Sequence, residues 1–255
     1  MVTIDLNADL GEGFGPWAMG DDAAMFALVT SANVACGGHA SDPETMFRTL
    51  CLARDNDVVV GAHPSYPDLA GFGRRRLPVS EAEVERFVAA QIGSILAVAS
   101  LAGHPVRYVK PHGALANVAA AERAVAEAIV RSVQAVDRRL AILAISGTEL
   151  ESAASRAGLR VFSEIYADRA YTAAGQLVPR SAPGAVIHDA DAAAARLLAF
   201  FDGGAMPTID GASIKLAADS ICVHGDNPAA VAMAARVRSA LEGQGLKIAP
   251  FLDRA

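Results

Sequence analysis

Cysteine is scarce in this chain: Cys36, Cys51 and Cys222 are the only three in 255 residues. They are odd in number, far apart and without metal-type spacing, so they read as reduced thiols of a cytoplasmic protein. A basic excess is missing too. Lys and Arg total 22 against 28 Asp and Glu, a formal net charge of −6. That balance argues against a nucleic-acid partner, which would demand basic patches to neutralise phosphates. The start, MVTIDLNADL, has no basic region followed by an apolar run, so no signal peptide is expected. The most apolar helix-like stretch, Ile92–Leu101, is too short to cross a bilayer, so no membrane partner is expected either. Disorder is excluded by the 53% apolar and 20% charged content. No repeat, low-complexity tract or polar linker divides the chain, and one domain over residues 1–255 is expected. Three motifs are absent: a GxxxxGK(S/T) phosphate loop, a GxSxG nucleophile elbow and a helical His-x3-His pair. His39 is followed four residues on by Pro43 instead.

What is present is alternation. Short β-branched runs (Thr3–Leu6, Asn33–Ala35, Val58–Val60, Val106–Val109, Ala141–Ile145, Arg160–Ile165, Ser220–Val223 and Lys247–Ile248) are separated by helical patterns. Ser80 with Glu83 fits a capping box, and Ser41 with Glu44 and Thr148 with Glu151 repeat the spacing. Strands alternating with helices predict parallel pairing with right-handed crossovers, and seven or eight units favour a closed barrel. Asp210-Gly211 between extended runs predicts a hairpin that interrupts the repeat, so the barrel should be irregular.

Polar residues gather where these strands end, the face on which parallel barrels bind ligands. The clusters are NADLGEGFG, ACGGHASD, GAHPSYPDL, KPHGALAN, SEIYADR and CVHGDNP. Alternation along the first strand puts Asp5, Asn7 and Asp9 on one face, with Ile4, Leu6 and Ala8 on the other. The apolar face should meet the helices, so the carboxylates should point inward. Lys110 and His112 share a face, as do Cys222, His224 and Asp226. Inward charges must be paired, and Asp5, Asp9 or Glu164 could pair with Lys110 or Arg169. Asp9, His39, His63 and His112 could converge as metal ligands, although no ligand spacing along the chain requires it. His188, His104 and Cys36 read as structural residues. Arg74-Arg75-Arg76 reads equally as a solvated run or an anion site.

These strand-end segments carry a resemblance. DLNADLGEGFG (5–15), SANVACGGHASDP (31–43), GAHPSYPDLAGFGRR (61–75), VKPHGAL (109–115), EIYADRAY (164–171), LVPRSAPGAVI (177–187) and SICVHGDNP (220–228) closely resemble the LamB/YcsF family. Two departures stand out: Gly38, where the family usually has a bulky aromatic, and Ala116, where it usually has Tyr. Both are expected to widen the pocket or change substrate contacts.

The resemblance implies an α/β fold, an irregular (β/α)7-type TIM-like barrel of the glycoside hydrolase/deacetylase type. It also implies the A subunit of bacterial 5-oxoprolinase, which opens 5-oxo-L-proline to L-glutamate with ATP and with separate B and C subunits. ATP would come with Mg as its counter-ion, and the missing phosphate loop leaves nucleotide handling partly or wholly to the partners. The superfamily often uses a metal, which the absent His-x3-His leaves unassigned here; association of the chain into a homo-oligomer also stays open.

A lactam is a stable amide, and phosphorylating its oxygen would make a better electrophile. The reaction needs cations for anionic groups, a base for water and an acid for nitrogen. The expected catalytic residues are therefore Asp9, His63, Lys110, His112, Glu164 and His224. The expected substrate-binding residues are Asn7, Asn33, His39, Asp168, Arg169 and Asp226. Lys110 and Arg169 would hold anions, Asp9 or Glu164 would activate water, and His63, His112 or His224 would move protons. Alanine at Asp9, Lys110 or His112 should abolish turnover in a chain that still folds. Two other readings stay open: an autonomous metal-dependent sugar-amide hydrolase or deacetylase, and a regulatory subunit that binds a small acid.

Overall fold

The computed structural model describes residues 2–223 and 229–252. His224 and Asp226 lie outside the described residues. Seven parallel strands close on themselves: β1 (Thr3–Leu10), β2 (Ser31–Ala35), β3 (Val59–His63), β4 (Val106–Val109), β5 (Ala141–Ile145), β6 (Val161–Tyr166) and, skipping the hairpin, β9 (Ser220–Val223), which pairs with both β6 and β1. The hairpin itself is β7 (Ala205–Pro207) against β8 (Ser213–Lys215), antiparallel across the turn that contains Asp210-Gly211. A last short strand, β10 (Lys247–Ile248), pairs with the beginning of β1. The helices are α1 (Asp22–Phe26), α2 (Pro43–Asp55), α3 (Glu81–Ala102), α4 (Gly113–Ala121), α5 (Arg123–Val136), α6 (Glu149–Arg156), α7 (Ala190–Gly203) and α8 (Ala230–Gly243). The expected irregular (β/α)7 barrel is the observed one.

Caps explain where the helices begin. The Ser80–Glu83 box forms in both directions at the start of α3. At α2 the cap is Asp42, not Ser41: its Oδ1 accepts from the N–H groups of Glu44 and Thr45, and Pro43 occupies the first helical position. Thr148 caps α6 by position only. Its hydroxyl donates back to the Ile145 carbonyl, and Glu151 accepts from the Gly147 N–H. Helix α3 is longer than its most apolar stretch implies. Its 22 residues make it long and apolar enough to cross a membrane, by length and composition only. It packs instead along α2 and α5, with Val84, Val88, Ile92 and Ile95 buried.

Two apolar regions hold the barrel. Ile4, Leu6, Ala8 and Leu10 face outward into the shell of helices. Inside, at the end where the strands start, Val59, Tyr108, Ala141, Leu143 and Leu252 form a separate cluster, with Phe162 and Phe251 against it. A Cβ on Gly61 would stand 2.2 Å from the Tyr108 ring, so glycine there is what admits the ring to the barrel interior. The ring's hydroxyl donates to Asn33 Oδ1 at 2.7 Å, tying the apolar floor to the polar layer above it.

Asp5 opens that polar layer and does not pair with Lys110. It accepts from the hydroxyls of Thr30 and Ser31, each at 2.6 Å, and from Ser220. Burial raises its carboxyl to about 6, against those three hydrogen bonds and with Glu164 pushing the same way. From pH 4 to 6 the folded chain keeps a proton that the unfolded chain has already lost. Stability from this group is therefore full below pH 4 and lost as pH rises through 6. Asp5→Asn should remove that slope. The difference in unfolding free energy between variant and parent should move by about 2 kcal/mol between pH 4 and 6.5 in favour of the variant. Urea melts across that range would show it, and a constant difference would refute it.

Candidate active site

At the C-terminal strand ends, four strands supply an ion-pair network. Lys110, just past β4, is buried, and its Nζ lies 2.8 Å from Glu164 Oε1 and 3.1 Å from Asp9 Oδ1. Asn7 Oδ1 at 3.3 Å and the Cys222 sulfur at 3.0 Å complete its surroundings. Burial works against the charge on Lys110. The carboxylates of Asp9 and Glu164 outweigh it and hold the ammonium well above its usual range. Burial also pushes the Cys222 thiol well up, against the pull of Lys110, so its sulfur takes a hydrogen bond as a neutral group.

Asn7 and Asn33 are fully buried and orient this network rather than line the cavity above it. Asn33 Nδ2 donates to Asp9 Oδ1 at 2.8 Å and to Asn7 Oδ1 at 2.7 Å. Asn7 Nδ2 donates to Glu164 Oε1 at 2.9 Å and Ser220 Oγ at 2.7 Å. The expected pairing of Asp9 and Glu164 with Lys110 is what the structure shows, and the position of Asn7 between them is an addition to it.

The two carboxylates differ in what they face. Asp9 lines a cavity of about 320 Å3, with His63, His112, Asn117 and Tyr166 among its other walls. That is at the small end of the range for small-molecule sites. Glu164 instead lies below it, against a much smaller space next to Lys110, Tyr166 and Thr148. Arg74, Arg169 and Arg180 rim the larger cavity. The triple arginine run divides: Arg75 pairs with Asp68 and Arg76 with Glu122 at the surface, and only Arg74 turns to the site, over the Phe72 ring. Arg169 is not simply an anion holder. Its Nη2 donates to the Val178 carbonyl at 2.6 Å and its Nε to Ala185 at 3.4 Å, which ties down the segment 177–185. Burial, and Arg180 beside it, lower its pKa. Asp168 is buried under the same segment, with its backbone carbonyl receiving the Ile187 N–H.

Beside Asp9 sits a group of imidazoles. His63 ends β3, His112 caps α4, and His39 lies in the loop after β2. Glu12, from the loop after β1, reaches His39 Nε2 at 2.9 Å and His112 Nδ1 at 3.5 Å. Asp9 Oδ1 is 3.3 Å from His63 Nε2. His39 stacks on His112, rings parallel and 3.7 Å apart. Burial holds both His39 and His112 well below the usual histidine range, so both rings are neutral; neighbouring imidazoles push the same way. One ligand atom from each of Glu12, His39, His63 and His112 falls within 4.8 Å of the rest, a donor set that could hold a metal ion.

Glu12 is the residue that strand alternation could not find, because it lies past the strand. The expected set had Asp9 in its place, and Asp9 stands next to the group, on Lys110. The remaining candidates lie outside this group. His104 Nε2 bonds the Val58 carbonyl at 2.8 Å, and His188 is exposed. Cys36 is buried, with its thiol pushed up to about 12.

The two departures part ways. Ala116 lines the cavity, as expected. Gly38 does not widen it. A Cβ there would stand 2.2 Å from Gln91 Oε1, and Gln91 fills the space while bonding the Ser65 backbone at 3.0 and 2.8 Å.

Comparison with known proteins agrees with this architecture. The 5-oxoprolinase A subunit of Gluconobacter oxydans is 54% identical over 246 residues, 96% of this chain and 97% of that protein. The one from Azorhizobium caulinodans is 51% identical over 251 residues, 98% of this chain and 99% of that protein. The solved lactam utilization protein of Thermus thermophilus superposes with a TM-score of 0.91 at 43% identity, covering 97% of this chain and 99% of that one. The LamB/YcsF family model matches residues 4–255. With the barrel, the strand-end carboxylates and this similarity along its length, the chain belongs to the LamB/YcsF family.

Proposed function

We propose that this chain is the A subunit of an ATP-dependent 5-oxoprolinase, opening the lactam of 5-oxo-L-proline to L-glutamate together with B and C partner subunits. One observation carries the reading. In a chain about half identical along its length to proteins of that name, the Lys110-held Asp9 opens onto a small, arginine-rimmed cavity.

The chemistry follows from that arrangement. The ATP γ-phosphoryl passes to the amide oxygen as ADP leaves. Water adds to the ring carbon, and the C–N bond breaks as the nitrogen takes the proton Asp9 removed from that water. A second water releases phosphate from the acyl phosphate to leave the carboxylate. ATP, with Mg as its counter-ion, supplies the phosphoryl group that makes the amide carbon electrophilic, and the partners take a share in holding it. Of the two carboxylates, Asp9 faces the cavity and is the base for water. Arg74 and Arg180, with what Arg169 has left after the backbone, attract the substrate carboxylate and the phosphoryl charge. His63 and His112 are not free to hand a proton to nitrogen. His63 Nδ1 bonds the Lys110 carbonyl at 2.6 Å and His112 Nε2 the Phe72 carbonyl at 3.0 Å, and a carbonyl only accepts.

The test is glutamate release from 5-oxoproline by this chain alone and with its B and C partners, with and without ATP. Turnover is expected only with all three chains and ATP. ATP-independent amide hydrolysis by this chain alone would put the autonomous hydrolase in its place. Full turnover by the partners without this chain would make it a regulatory subunit.

A further inference from the structure

The imidazole group beside Asp9 poses a problem of lone pairs. Since the Lys110 and Phe72 carbonyls can only accept, Nδ1 of His63 and Nε2 of His112 carry their rings' protons. In neutral rings the lone pairs then sit on His63 Nε2 and His112 Nδ1. Those two atoms face each other at 3.0 Å. Two lone pairs at that distance repel unless something positive lies between them or beside both. The charged side chains beside them are carboxylates, not cations: Asp9 Oδ1 stands 3.3 Å from His63 Nε2 and Glu12 Oε1 3.5 Å from His112 Nδ1. Among the described residues, Nδ1 of the buried His39 has no hydrogen-bond partner.

The geometry points to a divalent transition-metal site formed by Glu12, His39, His63 and His112. Two ligand atoms each roughly 2.1 Å from one ion stand about 3.0–3.4 Å apart at octahedral or tetrahedral angles. The His63–His112 and Glu12–His112 separations of 3.0 and 3.5 Å match that spacing. The backbone carbonyls behind His63 and His112 play the usual outer role at metal sites. They fix the tautomer and aim the lone pair inward. Three imidazoles and one carboxylate select zinc, cobalt, nickel or iron over the harder magnesium or calcium, which prefer all-oxygen shells. This site does not depend on which substrate the cavity takes.

The experiment uses the full chain, stripped with a chelator and titrated with Co2+ and then Zn2+ by calorimetry and visible absorption. One equivalent of Co2+ per chain is expected, with d–d bands that Zn2+ abolishes. Glu12→Gln and His63→Ala should each weaken binding at least about a hundredfold, while His188→Ala should bind as the parent does. Less than a tenth of an equivalent bound, or binding unchanged in both cluster variants, overturns the proposal. Should the cluster variants fail to fold by circular dichroism, X-ray absorption on the parent's Zn2+ complex decides. A shell rich in imidazole nitrogen supports the site, and an oxygen-only shell overturns it.

Discussion

Lys110→Met is expected to destabilise the fold by about 3–5 kcal/mol and to abolish coupled turnover. The ammonium lies between Asp9 and Glu164, and all three side chains are at least nine-tenths buried. Methionine fills the same volume but leaves two carboxylates facing each other with no cation between them. Breaking a buried ion pair on one side costs that much because the surviving charge keeps its desolvation penalty and loses its attraction. Sequence reasoning alone puts Lys110 among residues whose loss would spare the fold. The contacts to Asp9, Glu164, Asn7 and Cys222 make that expectation untenable for this residue. A second change separates the two effects. Adding Glu164→Gln to Lys110→Met removes one stranded charge and should restore at least half of the lost stability but none of the turnover. Chemical denaturation and glutamate release on the same preparations would test both halves. A single variant within about 1 kcal/mol of the parent would sink the ion-pair account.

Asp9→Asn should lower coupled turnover by about 10^2–10^4-fold with little change in KM, the range for losing a positioned base. Asparagine keeps an oxygen for Lys110 and Asn33, and Glu164 still neutralises the ammonium, so the loss of stability should be smaller than for Lys110→Met. Glu164→Gln should behave differently. That carboxylate touches the smaller space below the cavity and acts through Lys110, so its loss should cost less than tenfold in kcat. If Glu164→Gln proves the more damaging of the two, the base has been assigned to the wrong carboxylate.

Much of this is legible in the chain itself. The alternation of Asp5, Asn7 and Asp9 with Ile4, Leu6 and Ala8 is a backbone rule, so it places the acids inside the barrel correctly. Strand-helix alternation and Asp210-Gly211 likewise yield the barrel and its hairpin, because both depend on local pattern. What is not legible depends on where side chains end. Glu12 lies in a loop with no period to read. Tyr108 looks like one more apolar strand residue, yet its hydroxyl reaches Asn33 on a different strand. Whether Asp5 meets Lys110 or three hydroxyls turns on the relative height of neighbouring strands, which register sets and composition does not. Gly38 illustrates the same limit: the space left by its missing side chain is taken by Gln91, 53 positions away in the chain.

The apolar floor carries a kinetic consequence. Phe251 packs on the rings of Tyr108 and Phe162, 5.0 and 4.8 Å between centroids, and stoppers the barrel where its strands begin. Among the described residues, the cavity above thus opens away from this floor, at the C-terminal strand ends. Reactant and product take turns at that mouth, so the last product to leave vacates the route by which the next molecule arrives. Crowding that mouth from outside would slow arrival and departure together, and KM could stay level while throughput fell.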